Sequence, residues 1–204
     1  MIVIIDYKSG NLTSVKRALS YLHFDSEITA NIEKILNAER IIFPGVGHAK
    51  SAMDILRKKG LDEALKNAFE QGIPILGICL GTQVILSHSE EGDINCLGLI
   101  KGTTVRFNLK DTSLKIPHMG WNIVKKTQEH YLLKDLKEND ELYFVHSYYP
   151  KPEIDETVYA ISDYEIKFPV AIGRKNLFGV QFHPEKSGKI GLQILRNFTE
   201  WDGS

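Results

Sequence analysis

A single cysteine framed by glycines is the first place in this sequence where chemistry can be read. The stretch Gly77-Ile78-Cys79-Leu80-Gly81 ends an apolar run that begins at Ile73 and reads as a buried strand. Residues 82–88 after it read as a helix. Cys79 therefore stands where a strand turns into a helix, with a glycine two residues to either side. Small neighbours let the backbone turn tightly and lift one side chain toward a substrate, the layout of a nucleophile elbow. A helix start favours a thiolate over a thiol, and its free N–H groups can meet an oxyanion. Cysteine is also among the residues most often simply buried, so this reading needs a base elsewhere in the chain.

Of seven histidines, His23, His88 and His130 fall in helical or loop stretches and read as surface residues. His183 differs. It follows an apolar strand, 178–182, and precedes Pro184 and Glu185. Proline holds the residue before it extended, and in extended backbone i and i+2 share a face. Glu185 can then hold the far nitrogen of the His183 ring, the third role in a nucleophile–base–acid triad. A surface pair near a helix start is the competing reading, and the cysteine elbow tips the balance to Cys79–His183–Glu185. Oxyanion donors are at hand in the glycine-framed loop Pro44-Gly45-Val46-Gly47 and at Leu80 N–H. The same loop makes a poor nucleotide site, with no third glycine at the right offset and no Lys-Ser/Thr after it.

These groups need a scaffold. Residues 2–6 form a β-branched run of the kind buried on both faces of a sheet. Ser9-Gly10-Asn11 reads as a turn and helix cap, and Leu12, Val15, Leu19 and Leu22 recur at helical spacing. Strands follow at 24–29 and 41–43, then two helices separated by Gly60, then the strand that ends at Cys79. Strands alternating with helices predict an α/β fold, a mostly parallel, flavodoxin-like central sheet with helices on both faces. Loops at the carboxyl ends of its strands would gather Asp6, Pro44 to Gly47 and Cys79 on one edge. From about Cys96 short strands take over, at 103–107, 121–124, 141–149, 157–162, 169–174 and 177–182, with Lys175-Asn176 as a hairpin turn. They should add mixed or antiparallel strands, and Leu192, Leu195, Phe198 and Trp201 close the chain with an amphipathic helix. We expect one domain over 1–204.

The 204 residues carry a formal net charge of −1 with no basic stripe, which argues against nucleic acid. Two cysteines make neither a disulfide framework nor a zinc site, and a reducing cytoplasm fits them best. No stretch has the ~20 apolar residues of a membrane helix. No metal or other cofactor is expected.

Gly77-Ile78-Cys79-Leu80-Gly81-Thr82-Gln83 together with Gln181-Phe182-His183-Pro184-Glu185 resembles the class I (triad) glutamine amidotransferases. Pro44-Gly45-Val46-Gly47, Pro117-His118-Met119-Gly120-Trp121-Asn122, Tyr143 to Tyr148 and Pro184 to Ser187 are similar to the glutaminase subunits of imidazole glycerol phosphate synthase. The resemblance implies that Cys79 is the nucleophile, His183 the general base and acid, and Glu185 its orienting carboxylate. It implies that Val46, Gly47 and Leu80 serve the oxyanion, and that Gln83, Ser147 and Tyr148 meet the glutamine substrate. Asn11, Trp121, Tyr143 and Lys186 match positions facing a partner, a (β/α)8-barrel cyclase subunit in a 1:1 heterodimer that would receive the ammonia. A paralogous amidotransferase feeding another synthase, such as one for surface sugars, is the alternative. Thr82, Ala49 and Lys8 depart from the residues common in the family.

Overall fold

A computed structural model describes residues 1–8 and 10–204, so Ser9 of the expected Ser9-Gly10-Asn11 turn lies outside the described residues. The first half alternates strand and helix: β1 (Ile2–Ile5), α1 (Leu12–Tyr21), β2 (Ser26–Thr29), α2 (Ile32–Leu36), β3 (Arg40–Gly45), α3 (Ala49–Lys59), α4 (Leu61–Glu70), β4 (Ile75–Cys79) and α5 (Leu80–Val84). The second half is built of strands: β5 (His88–Ser89), β6 (Ile94–Asn95), β7 (Gly102–Arg106), β8 (His118–Ile123), β9 (Lys125–Lys126), β10 (Glu141–His146), β11 (Tyr148–Pro152), β12 (Val158–Tyr164), β13 (Ile166–Arg174) and β14 (Leu177–Val180). Helix α6 (Gly188–Glu200) follows.

Eight strands form the main sheet in the order β2-β1-β3-β4-β14-β13-β12-β9. The first five run parallel, and β13, β12 and β9 add antiparallel strands at the other side. This is the expected flavodoxin-like order, with its topological switch between β1 and β3. The β-branched run of β1 is buried along its whole length because both sheet faces are covered. Ile2 and Ile4 join Val15 and Leu19 of α1 and Ile194, Leu195 and Phe198 of α6 in one core. Val3 and Ile5 join Ile35 of α2, Met53 and Leu56 of α3, and Leu65 and Phe69 of α4 in the other. Helix α3 stops at Gly60, whose φ of 67° suits a residue without Cβ, after a last turn rich in basic residues that complements its dipole.

The parallel registers decide where the loops emerge. Gly45 pairs with Cys79 and Ile78 with Val180. The carboxyl ends of β1, β3, β4 and β14 therefore lie on one edge, as expected, and bring the Cys79 turn beside the segment that leads to His183.

Three expectations need correction. Residues 82–88 do not form one helix: α5 ends at Val84, and His88 lies in the short strand β5. The carbonyls that would continue the helix are taken by the returning chain. Leu97 N–H donates to Val84 O, Gly98 N–H to Leu86 O, and Leu99 and Ile100 N–H to Ile85 O. Residues 141–149 do not form one strand either. They split at Ser147, since β10 pairs with β8 and β11 with β7, in two separate sheets. Third, His130 is no plain surface residue: its ring stacks on Phe178 with centroids 4.0 Å apart. Lys175-Asn176 does turn the β13–β14 hairpin.

Candidate active site

Cys79 sits at φ 53°, ψ −108°, a backbone conformation rare for any residue with a side chain. Strain of this kind persists only where the surroundings fix it. A Cβ on Gly81 would lie 1.8 Å from the carbonyl oxygen of Phe43, so only glycine lets the elbow close against β3. The buried hydroxyl of Thr82 donates to Val180 O at 2.7 Å and ties α5 to β14. The elbow is thus clamped between two parallel strands.

His183 is reached through an extension of β14. Its N–H donates to Tyr143 O at 2.9 Å, and its carbonyl accepts from the Ser187 hydroxyl at 2.6 Å. Its Nδ1 lies 2.8 Å from Glu185 Oε1, and both side chains are fully out of solvent. The route differs from the one expected: Glu185 sits in a 3-10 turn, Pro184–Lys186, and not on extended backbone. Burial alone would lower the pKa of His183, but hydrogen bonding and charge from Cys79 and Glu185 outweigh it and raise the value to about 10. A histidine charged at neutral pH beside a cysteine sulfur suits a sulfur nucleophile. With Nδ1–H donated to the carboxylate, Nε2 is the ring nitrogen available for proton transfer.

Asn11 was expected at a helix cap and on a partner-facing surface. It does occupy the N-cap position of α1, but its side chain makes no cap. Its amide donates to Glu185 Oε1 and lies 3.5 Å from His183 Nδ1. Gln181 Nε2 approaches the Cys79 sulfur at 3.6 Å. Gln83 Nε2 donates to Tyr148 O at 2.8 Å and to Gln181 Oε1 at 3.1 Å.

A cleft of ≈ 300 Å³ opens over Cys79. Val46, Gly47, Leu80, Gln83, Ser147 and Tyr148, all expected at the oxyanion or the substrate, line it. Cys79 is part of that lining, and His183 and Glu185 are not. Gly47 has φ 106°, which a residue with a side chain resists. Glu91, Pro117, Val145 and His146, to which sequence reasoning gives no role of their own, complete the lining. Glu91 places a carboxylate in the cleft and accepts from Ala49 N–H at 2.6 Å, at the start of α3. No motif marks it; only the return of β5 and β6 brings it near Cys79. The last expected group is exposed. Trp121, 53% accessible, meets Tyr143 edge-on at 5.9 Å, with Lys186 Nζ 5.9 Å from the Tyr143 ring. Among the described residues no cluster of acidic, histidine or cysteine side chains could hold a metal ion.

Comparison with known proteins bears on this arrangement. The family model for class-I glutamine amidotransferases matches residues 3–201. An imidazole glycerol phosphate synthase subunit HisH from Maridesulfovibrio salexigens is 46% identical, covering 98% of this chain and 97% of its own. A subunit HisH from Bacillus cereus is 45% identical, covering 97% and 93%. Among solved structures, a glutamine amidotransferase superposes with a TM-score of 0.76 over 100% of both chains at 17% identity. A chain of the PurLQS structure from Thermotoga maritima superposes with a TM-score of 0.73 at 19% identity, over 98% of this chain and 97% of its own. At such identities these two attest the fold alone. The chain belongs to the class-I glutamine amidotransferase family, in the group of the imidazole glycerol phosphate synthase HisH subunits.

Proposed function

We propose that residues 1–204 form one domain that hydrolyses the side-chain amide of glutamine to glutamate and ammonia as the glutaminase subunit of imidazole glycerol phosphate synthase, in histidine biosynthesis. The observation that carries the mechanism is the strained Cys79 elbow beside a buried His183–Glu185 pair, under a cleft sized for a small amino acid. Cys79 attacks the carboxamide carbon. Backbone N–H groups around Gly47 and at Leu80 hold the oxyanion. His183 gives its proton to the leaving nitrogen, and ammonia departs from a glutamyl thioester. His183 then takes a proton from water, the hydroxide adds to the thioester, and glutamate leaves with the thiolate restored. Glu185 keeps the ring in place through Nδ1, and Glu91 offers a counter-charge for the glutamine ammonium.

Ammonia in neutral water is mostly ammonium, which is no nucleophile, so the product should pass directly to a second protein. A (β/α)8 cyclase subunit in a 1:1 complex fits this need, with Asn11, Trp121, Tyr143 and Lys186 as its contact surface. Exposed Met119, 62% accessible beside Trp121, supports that placement. No helix among the described residues is long and apolar enough to cross a membrane, and a cytoplasmic setting suits two free thiols.

The test is glutamate release by the purified chain, alone and with a cyclase subunit of the same source, with and without imidazole glycerol phosphate. The expected result is low activity alone and strong stimulation by partner plus ligand, abolished by Cys79→Ala. Cys79-dependent activity indifferent to that partner would move the chain to another synthase.

A further inference from the structure

Beside the cleft lies a pair of histidines that the mechanism does not use. His118 of β8 and His146 of β10 are cross-strand partners, 3% and 4% exposed, on the inner face of the two-stranded ribbon. His118 Nδ1 lies 3.0 Å from His146 Nε2. His146 Nδ1 lies 2.7 Å from the carbonyl oxygen of Tyr148. Asn122 Nδ2 lies 3.3 Å from His118 Nε2 and also donates to Asp163 O at 2.9 Å.

These contacts allow one assignment of protons. A carbonyl oxygen only accepts, so His146 must carry its proton on Nδ1. A neutral ring then leaves Nε2 bare, and that nitrogen must accept from His118 Nδ1–H. His118 Nε2 is bare in turn and accepts from the Asn122 amide. Every bond points the same way, from Asn122 through His118 and His146 to Tyr148. A second proton on either ring would set two donors against each other at 3.0 Å or at 3.3 Å.

The end point matters because Tyr148 O is also the acceptor for Gln83 Nε2, at 2.8 Å. Two donors thus fix a carbonyl at the cleft wall, and His146 lines the cleft itself. From this geometry we infer that His118 and His146 form a neutral, one-directional hydrogen-bond relay that positions the Ser147–Tyr148 wall of the cleft for substrate binding. The positioning role rests on the glutaminase reading; the relay itself does not.

The surroundings keep the pair uncharged. Phe107, Phe144 and Phe168 pack around both rings. The titratable neighbours are Tyr164, with its ring 4.2 Å from that of His118, and His183, whose charge bears on His146. Neither ring forms an ion pair with a carboxylate among the described residues. Burial accordingly lowers His118 to about 4 and His146 to about 3.

The relay is tested by 15N NMR of the imidazole nitrogens in the full chain. Both histidines should carry hydrogen on Nδ1 and none on Nε2, unchanged from pH 8 to about pH 5. An Nε2–H form of either ring, or titration near 6.5, overturns the proposal. Its consequence is tested by His118→Phe, which keeps an aromatic ring and removes the donor, and by His118→Asn, whose amide nitrogen stands near the place of Nδ1. With the cyclase partner present, His118→Phe should raise KM for glutamine about tenfold, the size of one lost buried hydrogen bond, and leave kcat within about twofold. His118→Asn should restore KM. The Tyr148 carbonyl 13C shift should move in the first variant and return in the second. Equal KM defects in both variants, or a loss of kcat at unchanged KM, overturn the positioning role. A wild-type chain that releases no glutamate refutes the glutaminase reading, and the nitrogen and carbonyl shifts still decide the relay.

Discussion

Two buried histidine sites lie within one ribbon of each other and solve opposite problems. His183 has a carboxylate at 2.8 Å and a sulfur beside it, and its pKa is raised to about 10. His118 and His146 have aromatic rings and a carbonyl, and theirs fall to about 4 and about 3. All three are almost wholly buried, so burial cannot be what separates them. The sign follows from what each ring's second nitrogen meets: an anion favours the imidazolium, whereas a fixed donor or acceptor in an apolar shell favours one neutral tautomer. The first site is built to move a proton and the second to keep one still.

The sharpest way to break this contrast is to remove the anion. Glu185→Gln retains the shape and a hydrogen-bond acceptor but not the charge, and an amide can turn its donor toward Nδ1. His183 should then lose its raised pKa and its fixed tautomer. We expect kcat to fall on the order of 10³- to 10⁴-fold in the partner complex, approaching the roughly 10⁴-fold loss of a triad held in the wrong tautomer. Steady-state kinetics of glutamate release measures it. A drop under about tenfold would mean that the carboxylate is a structural neighbour only.

How much of this was legible beforehand depends on how local each feature is. The parallel half was, because strands buried on both faces write continuous apolar runs such as residues 2–5. The elbow and the His183–Glu185 pair were, because each needs particular residue types within five positions. The end of α5 was not. It is set by Leu97, Gly98, Leu99 and Ile100, which claim its carbonyls from more than ten residues away. The break at Ser147 was hidden for a like reason, since two different partner strands pull the chain apart there. Glu91 and the His118–His146 pair were invisible because their neighbours come from separate elements. For Asn11, a turn residue before a helix suggests a cap, and nothing local says that its amide turns to Glu185.

That amide allows a finer cut at the same contrast. Asn11→Ala removes the second donor from Glu185 Oε1 and leaves the charge in place. The carboxylate should still hold His183, but less firmly. We expect kcat to fall about tenfold, far less than for Glu185→Gln, with KM unchanged because Asn11 does not line the cleft. A matching loss of affinity for the cyclase, measured by titration calorimetry, would show that Asn11 also serves the partner surface. An unchanged kcat would show that Glu185 needs no orienting partner.

The smallest effect lies in stability, where the two sites should leave opposite marks on a pH profile. His118 and His146 have folded pKa values below the ordinary 6.5, so between about pH 6.5 and pH 4 the unfolded chain binds more protons than the folded one. Stability must therefore fall as pH falls through that window. His183 works the other way: its raised value gives a contribution complete below about pH 6.5 and lost as pH rises toward 10. Thermal unfolding followed from pH 4.5 to pH 9.5 should peak near neutrality. The double variant His118→Phe, His146→Phe should have a lower Tm at pH 8, since Tyr148 O and the Asn122 amide lose partners. Its acid limb should be flatter, with a fall between pH 7 and pH 4.5 on the order of 10 °C smaller than in the wild type. His183→Phe should flatten only the alkaline limb. An acid limb unaltered in the double variant would mean that these rings are already charged in the fold, and the contrast between the two sites would collapse.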